Sequence, residues 1–465
     1  MSLRNFLYLV ALSGLSAACR LTPPFEAPQA DVPEAWHYAQ NDAAALLDPG
    51  WWRAFADPEL EALISHALAY NNDLAAATRR VEQARAQAKL AGADLLPGIG
   101  TTASLTDRHN DAGDTQRKFA QISIAYEVDL WGANRAKRDA GRARWLSTIF
   151  ARDALRLVVS ADVAQVYFNV LASAEQIRIA ERFLVNTEQT LSIVTARFKA
   201  GAVSNLDVAQ QQSLRANAQA DLERLKQQKA LADNALSILL GDKPQAQGGA
   251  ATFTGLQIPA ITALQPSELL QRRPDVKQIE GQLQAAHADV AIARAAFYPK
   301  LQLSLDGVLA NPQPAGVLVS MAAALLQPIY QGGRLEGALA NARARHAELV
   351  EIWQQTLLTA FKEVEDAAAV RQYSGLRQTA LQQAVGQAEL AYRIADARYR
   401  AGAIEFQALL TAQRDVFTAQ THQVQARLDV LNASVQLFKA LGGGWQPASA
   451  QLPGESALNG YQPGS

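Results

Sequence analysis

Apolar residues recur at steps of three and four along much of this chain, with polar residues between them. This spacing gives a helix one apolar stripe. Proline is absent from residues 98–243 and 329–446, so two very long helical regions are predicted. The 70 residues from Trp131 to Ala200 would form a helix of roughly 100 Å that packs on others as in coiled coils. Its stripe includes Leu155, Val159, Val163, Val166, Val170, Ala174 and Ile177.

Shorter segments alternate strictly between apolar and polar residues, which predicts β-strands. We expect four of them, at about residues 98–106, 117–128, 299–306 and 316–327, although the last is apolar on both faces. Polar loops at residues 107–116 and 307–315 would join each pair. Such alternation is typical of transmembrane barrel strands, and a half-exposed strand of a soluble sheet shows the same pattern.

The two halves of the chain repeat one another. Residues 197–202, RFKAGA, reappear as RYRAGA at residues 398–403, a displacement of 201. Leu240-Gly241 and Leu441-Gly442 match at the same displacement. Repeats of this kind indicate a tandem duplication. We divide the chain into repeat 1, residues 51–242, a linker, residues 243–266, repeat 2, residues 267–445, and a C-terminal tail, residues 446–465.

Four strands cannot close a barrel in a membrane. The smallest lipid-embedded barrels have about eight strands, and an open edge in lipid leaves backbone groups unpaired at a cost of several kcal/mol each. If the strands span a membrane, the chain must therefore assemble with copies of itself. Three copies would give 12 strands, whereas two would give a barrel barely wide enough for its own side chains.

The N-terminus has the pattern of an export signal. Arg4 precedes an apolar run that is too short to span a bilayer as a mature helix, so residues 1–18 are predicted to be a signal peptide. Ser16-Ala17-Ala18 then leads into Cys19, which resembles a bacterial lipobox and implies acylation of Cys19. An ordinary signal peptidase cutting at the same bond is the alternative. Residues 19–50 contain five prolines and would form a lipid-anchored extended strap.

Composition removes several classes of function. The net charge of −1 gives no surplus of base for nucleic acid. One cysteine excludes a disulfide framework and cysteine-rich zinc sites, and the six histidines have no ligand spacing. Without a Walker loop or an HExxH or GxSxG motif, we expect no catalysis, metal or cofactor. An acidic cluster at Glu363, Glu365 and Asp366 is interpreted as a solvated helix face.

Four ordered motifs resemble those of the TolC-type outer membrane factors, and of their NodT-type lipoprotein branch, which partners RND efflux pumps. The motifs are WWRAFADPEL at residues 51–60, YEVDLWG at 126–132, RRPD at 272–275 and the segment 327–333. The resemblance implies a mixed, mainly α fold with long helical hairpins. A homotrimer would form a 12-stranded barrel in the outer membrane and a 12-helix tube across the periplasm. The chain ends and the linker would form an equatorial belt.

The resemblance also implies a passive exit duct. A periplasmic adaptor, or membrane fusion protein, and an inner-membrane RND transporter would deliver small molecules such as drugs or toxic compounds to it. A TolC-like duct for type I protein secretion is an alternative within transport. A soluble periplasmic coiled-coil adaptor or scaffold is an alternative of another class, which would explain the helices but not the paired strands.

Gate residues are expected at the two helical turns nearest the periplasmic end. By resemblance, Gly201 and Gly402 mark these tips, Asp207 matches an aspartate of the first tip, and Tyr399 matches a tyrosine before the second. The chain departs from the pattern at residues 404, 408 and 411, where Ile, Ala and Thr replace charged residues of relatives. Glu405 would supply an anionic ring instead. The alternative is that Asp207, Tyr399 and Glu405 only solvate or cap a turn.

Overall fold

A computed structural model describes residues 24–38, 48–108, 115–246, 252–261, 265–311 and 317–446. The signal peptide, Cys19 and the C-terminal tail beyond residue 446 lie outside the described residues. The described part of the chain is mainly helical with one four-stranded sheet, so the predicted fold class, mainly α with four strands, is confirmed. Residues 24–38 of the strap form neither helix nor strand.

Each repeat contains two shorter and two long helices, and the long ones match the proline-free regions. Trp51–Phe55 forms a 3-10 turn ahead of the first helix. The helices are α1 (Pro58–Tyr70), α2 (Asn72–Ala91), α3 (Ala133–Lys199), α4 (Asn205–Leu240), α5 (Pro266–Arg272), α6 (Pro274–Ala295), α7 (Arg334–Arg400) and α8 (Phe406–Ala440).

The strands of both repeats form one antiparallel sheet in the order β1-β2-β3-β4. They are β1 (Gly98–Arg108), β2 (Thr115–Val128), β3 (Lys300–Asn311) and β4 (Val317–Leu326). The central pair, β2 with β3, joins the two repeats. β1 and β4 are the edges of this sheet, and each lacks a partner strand on its outer side among the described residues.

The predicted polar loops are shorter than expected. Asp107 and Arg108 belong to β1, and residues 115–116 belong to β2. Residues 307–311, predicted as loop, continue β3 because β2 extends beside them, with Gly307 opposite Ile122 and Ala310 opposite Phe119. A partner strand satisfies the backbone groups of Gly307 despite its weak strand propensity. The loop prediction for residues 307–311 was therefore wrong.

Contacts divide the chain into two compact units, each drawing on both repeats. Unit 1 comprises Met1–Ala30, Thr78–Arg152 and Asp275–Thr356, and it contains the sheet. Unit 2 comprises Asp31–Ala77, Asp153–Pro274 and Leu357–Ser465, and it contains the two tip turns and the linker. Among the described helices, α3 includes an 18-residue window that is apolar enough to cross a membrane, but 56% of that window is buried inside the protein.

The repeated Leu-Gly pairs of unit 2 form equivalent joints. Gly241 has φ +80°, and a Cβ there would lie 2.3 Å from the carbonyl oxygen of Tyr70. Gly442 has φ +87°, and a Cβ there would lie 2.1 Å from the carbonyl oxygen of Arg272. The second long helix of each repeat, α4 or α8, thus ends against the C-terminal end of a short helix of the same repeat. Both the left-handed conformation and the close approach require glycine.

The Trp-Trp motif builds an aromatic core in unit 2. Trp51 stacks on Phe438 with ring centroids 5.3 Å apart, and Phe55 lies 5.1 Å from Phe168 and 6.2 Å from Phe438. Phe55, Phe168 and Phe438 are fully buried. Asp57 caps α1 and accepts a hydrogen bond of 2.8 Å from the buried Tyr167 hydroxyl. These residues attach the start of repeat 1 to α3 and α8.

Candidate functional site

Both tip turns end their helices with the same hydrogen-bond pattern. Gly201 has φ +71° and Gly402 has φ +74°. After the first glycine, the Ala202 N–H donates to the carbonyl oxygen of Arg197 at 2.9 Å. After the second, the Ala403 N–H donates to the carbonyl oxygen of Arg398 at 2.9 Å. This is the Schellman arrangement, in which a left-handed glycine reverses the chain and satisfies the last carbonyls. The same Ala-Gly-Ala sequence therefore forms the same turn at both tips.

The helices that leave the two tips begin differently. Ser204 caps α4 through a capping box, in which its N–H donates to Asp207 Oδ2 at 3.1 Å and its Oγ accepts from the Asp207 N–H at 3.4 Å. At the equivalent point of repeat 2, Glu405 precedes α8 with an exposed side chain that makes no capping bond. Ala408 stands where Asp207 stands in repeat 1. Asp207 therefore has a local capping partner, whereas the Glu405 side chain makes no such bond.

Tyr399 lies in the core between the tips. Its side chain is 2% exposed, its ring lies 5.8 Å from that of Phe406, and the Arg197 guanidinium stacks over it at 4.6 Å. The Arg197 Nη2 also donates to the carbonyl oxygen of Arg400 at 2.9 Å, so this side chain links the two tips. The Tyr399 hydroxyl has no hydrogen-bond partner among the described residues. Burial raises the pKa of this hydroxyl, which therefore remains a proton donor at neutral pH.

A polar layer lies in the core behind the tips, which the sequence pattern did not reveal. Gln211 donates to the carbonyl oxygen of Thr187 at 2.8 Å, and Gln413 donates to Thr190 Oγ1 at 2.8 Å. All four side chains are buried. Glutamine on a long helix reads as a surface residue in sequence, so only tertiary contacts identify this layer.

The interpretation of the acidic cluster on α7 as a solvated face holds for Glu363 and Asp366, which are exposed, but not for Glu365. Glu363 pairs with Arg273 at 2.7 Å, and Asp366 pairs with Lys362. Glu365 is half-buried and accepts the backbone N–H groups of His37 at 2.6 Å and Tyr38 at 3.0 Å. This carboxylate fastens the strap to α7. No group of three or more His, Cys, Asp or Glu side chains able to hold a metal ion occurs within the described ranges.

The strand register sorts the sheet into two faces. One face carries apolar side chains in adjacent rows, such as Ile99, Ile124, Leu305 and Met321. The other face carries mainly small and polar side chains, such as Gly100, Ser123, Asp306 and Ser320, although Leu318 and Leu326 at the β4 edge also lie on it. Large apolar side chains of the first face are exposed, including Ile99, Leu305 and Met321 at 72%, 40% and 86%. An exposed apolar band opposite a polar face is the arrangement of a barrel wall in lipid.

The sequence profile of the Outer membrane efflux protein family matches residues 63–242 and 265–443. The chain belongs to this family. It is 39% identical to the pyoverdine export outer membrane protein OpmQ of Pseudomonas putida, over 97% of this chain and 99% of that protein. It is 31% identical to the cation efflux system protein CusC of Escherichia coli, over 95% of this chain and 98% of that protein.

Solved structures agree with the family assignment. The open state of the MtrE outer membrane channel of Neisseria gonorrhoeae matches with a TM-score of 0.84 and 26% identity, over 92% of this chain and 99% of that one. The efflux protein described here is therefore an outer membrane channel of an efflux system. The resemblance to TolC-type factors inferred from the four motifs is confirmed. Members of the family are transport channels rather than enzymes.

Proposed function

We propose that three copies of this efflux protein form a passive exit duct, with a 12-stranded barrel in the outer membrane and a 12-helix tube in the periplasm. The observation that carries this proposal is the four-stranded sheet, which has an exposed apolar face and whose edges, β1 and β4, pair with no further described strand. In lipid, unpaired edges cost several kcal/mol per backbone group, so the edges of neighbouring copies would pair. The duct would catalyse no reaction and hold no cofactor.

The proposed partners are a periplasmic adaptor and an inner-membrane RND transporter. The family assignment supports an efflux system, and OpmQ and CusC are named for pyoverdine export and cation efflux. A wide duct conducts what its pump delivers, so the substrate class proposed here is small molecules, such as drugs or toxic compounds. The equatorial belt would be formed by the linker, which accepts hydrogen bonds from Arg427 and Arg371 at Leu256 and Pro259 in unit 2.

Chemical cross-linking in the native cell, followed by affinity purification and mass spectrometry, tests these partners. We expect an adaptor and an RND transporter to be cross-linked to the protein. Recovery of an ATP-driven protein-secretion transporter instead would favour a duct for type I secretion. Recovery of the protein in the soluble periplasmic fraction without detergent would favour the soluble scaffold and contradict the proposal.

Acylation of Cys19 is proposed from the lipobox resemblance. Mass spectrometry of the mature N-terminus should show a lipid-modified Cys19. A Cys19→Ser variant should remain in the membrane, because the barrel holds it there independently of the anchor. A free Cys19 at the mature N-terminus would contradict the lipoprotein assignment and leave the channel proposal intact.

The tip residues are proposed to keep the periplasmic end closed in the trimer. The double variant Asp207→Ala with Tyr399→Phe should raise conductance in planar bilayers, because the polar groups proposed to link adjacent coils would be removed. A hydrogen bond contributes about 0.5 to 1.5 kcal/mol net, so two changes are needed for a clear effect.

Glu405, exposed at the start of α8, is proposed to form an anionic ring, and Glu405→Gln should reduce cation selectivity in the same recordings.

The capping box supplies a matched control for this experiment. Ser204→Ala removes the cap of α4 and keeps the Asp207 carboxylate, at a cost of about 1 kcal/mol to the helix. If Ser204→Ala with Tyr399→Phe opens the channel as much as the first double variant, Asp207 acts only as a cap. If neither pair changes conductance, the gate lies elsewhere.

A further inference from the structure

The polar face of the sheet presents one acidic side chain near the middle of β3. Asp306 lies opposite Ser123 on β2 and Ser320 on β4, so its nearest cross-strand neighbours are neutral. Gln121 Nε2 donates to Asp306 Oδ1 at 2.8 Å, and both side chains are half-buried. An amide partner fixes the direction of the carboxylate and leaves its charge uncompensated.

The other described charges on this face compensate each other. Lys300 Nζ lies 3.5 Å from Glu127 Oε2, near the opposite end of the central strand pair from the loops. Among the side chains of this face that the structure describes, Asp306 is the acid without a basic partner.

We propose that Asp306 sets the charge preference of the barrel lumen, with Gln121 as a positioning residue. This inference rests on the proposed trimer, in which the apolar face turns to lipid and the polar face to the pore. Three copies of Asp306 would then form a ring of carboxylates in the outer membrane. Such a ring lowers the electrostatic energy of cations and raises that of anions. The lumen would favour cationic and neutral molecules over anions.

Reversal potentials of the purified protein in planar bilayers, under a KCl gradient, test this assignment. Asp306→Asn should lower the potassium-to-chloride permeability ratio about twofold at 0.1 M salt, as expected for three screened charges. Gln121→Lys should lower it similarly, because an ammonium beside Asp306 neutralises the ring. Ser304→Ala, on the same face of the same strand, is the matched control and should behave like the parent protein. At 1 M salt, where the screening length is about 3 Å, the differences should vanish.

The outcomes separate this inference from the proposed function. Channels of parental conductance in which Asp306→Asn and Gln121→Lys keep the parental permeability ratio at 0.1 M salt would overturn the role of Asp306 and leave the duct intact. If neither the parent protein nor the double variant Asp207→Ala with Tyr399→Phe forms channels, the proposed function is overturned as well. A shift that persists unchanged at 1 M salt, or that Ser304→Ala reproduces, would show a structural effect and contradict an electrostatic ring.

Discussion

Replacing Gly442 by alanine should destabilise this efflux protein by about 3 kcal/mol or more, one of the two largest effects that we expect. The added Cβ would lie 2.1 Å from the carbonyl oxygen of Arg272, a backbone atom that cannot rotate away. Alanine at φ +87° also adds a left-handed penalty of about 1 to 2 kcal/mol. Thermal unfolding of the detergent-solubilised protein, followed by circular dichroism, should show a lower midpoint or no folded protein.

Gly402 provides the matched control. It has φ +74°, but a Cβ there would meet no atom within 4 Å. Gly402→Ala should therefore lower the free energy of unfolding only by the cost of the left-handed conformation, about 1 to 2 kcal/mol. Equal losses of stability for the two variants would show that the close approach of Gly442 to Arg272 does not hold the joint together.

Truncation of Phe438 to alanine is expected to have the second large effect, about 3 to 5 kcal/mol. Phe438 is 1% exposed and contacts Trp51 and Phe55, so its loss leaves a cavity in the aromatic core. Because this core attaches the Trp-Trp motif to α8, repeat 1 would lose a contact with repeat 2. The same thermal unfolding measurement checks this prediction.

Phe198→Ala is the comparison for Phe438→Ala. Phe198 is 42% exposed near the first tip, so its truncation should cost about 1 kcal/mol or less. If Phe438→Ala unfolds at the same temperature as Phe198→Ala, the aromatic cluster contributes little to stability, and the Trp-Trp motif has another role.

Local patterns predicted most of the elements of this chain. The absence of proline and the three-and-four spacing predicted α3 and α7, and the repeated AGA segments predicted turns at Gly201 and Gly402. These features depend on neighbouring residues, which a sequence shows directly. Some residues of the four family motifs also have local roles. For example, Asp129 of the YEVDLWG motif accepts backbone N–H groups of Asn134 and Arg135 at the start of α3.

Contacts between distant residues could not be predicted. The bonds from His37 and Tyr38 to Glu365 join residues more than 300 positions apart, so the sequence did not predict the role of Glu365. Residues 307–311 read as a loop because their partner strand, β2, lies in the other repeat. The pairing of Asp306 with Gln121, 185 positions apart, likewise depends on the order of strands in the sheet. Secondary-structure propensity is a property of single residues, whereas these features depend on which distant segments contact each other in the fold.

The mass of the particle in detergent tests the central claim, that three chains share one duct, most directly. Native mass spectrometry of the purified efflux protein should give three times the mass of the mature chain, because only three four-stranded sheets complete a 12-stranded barrel. A stable monomer in detergent, with both edges of its sheet free, would contradict the shared barrel and the duct built on it.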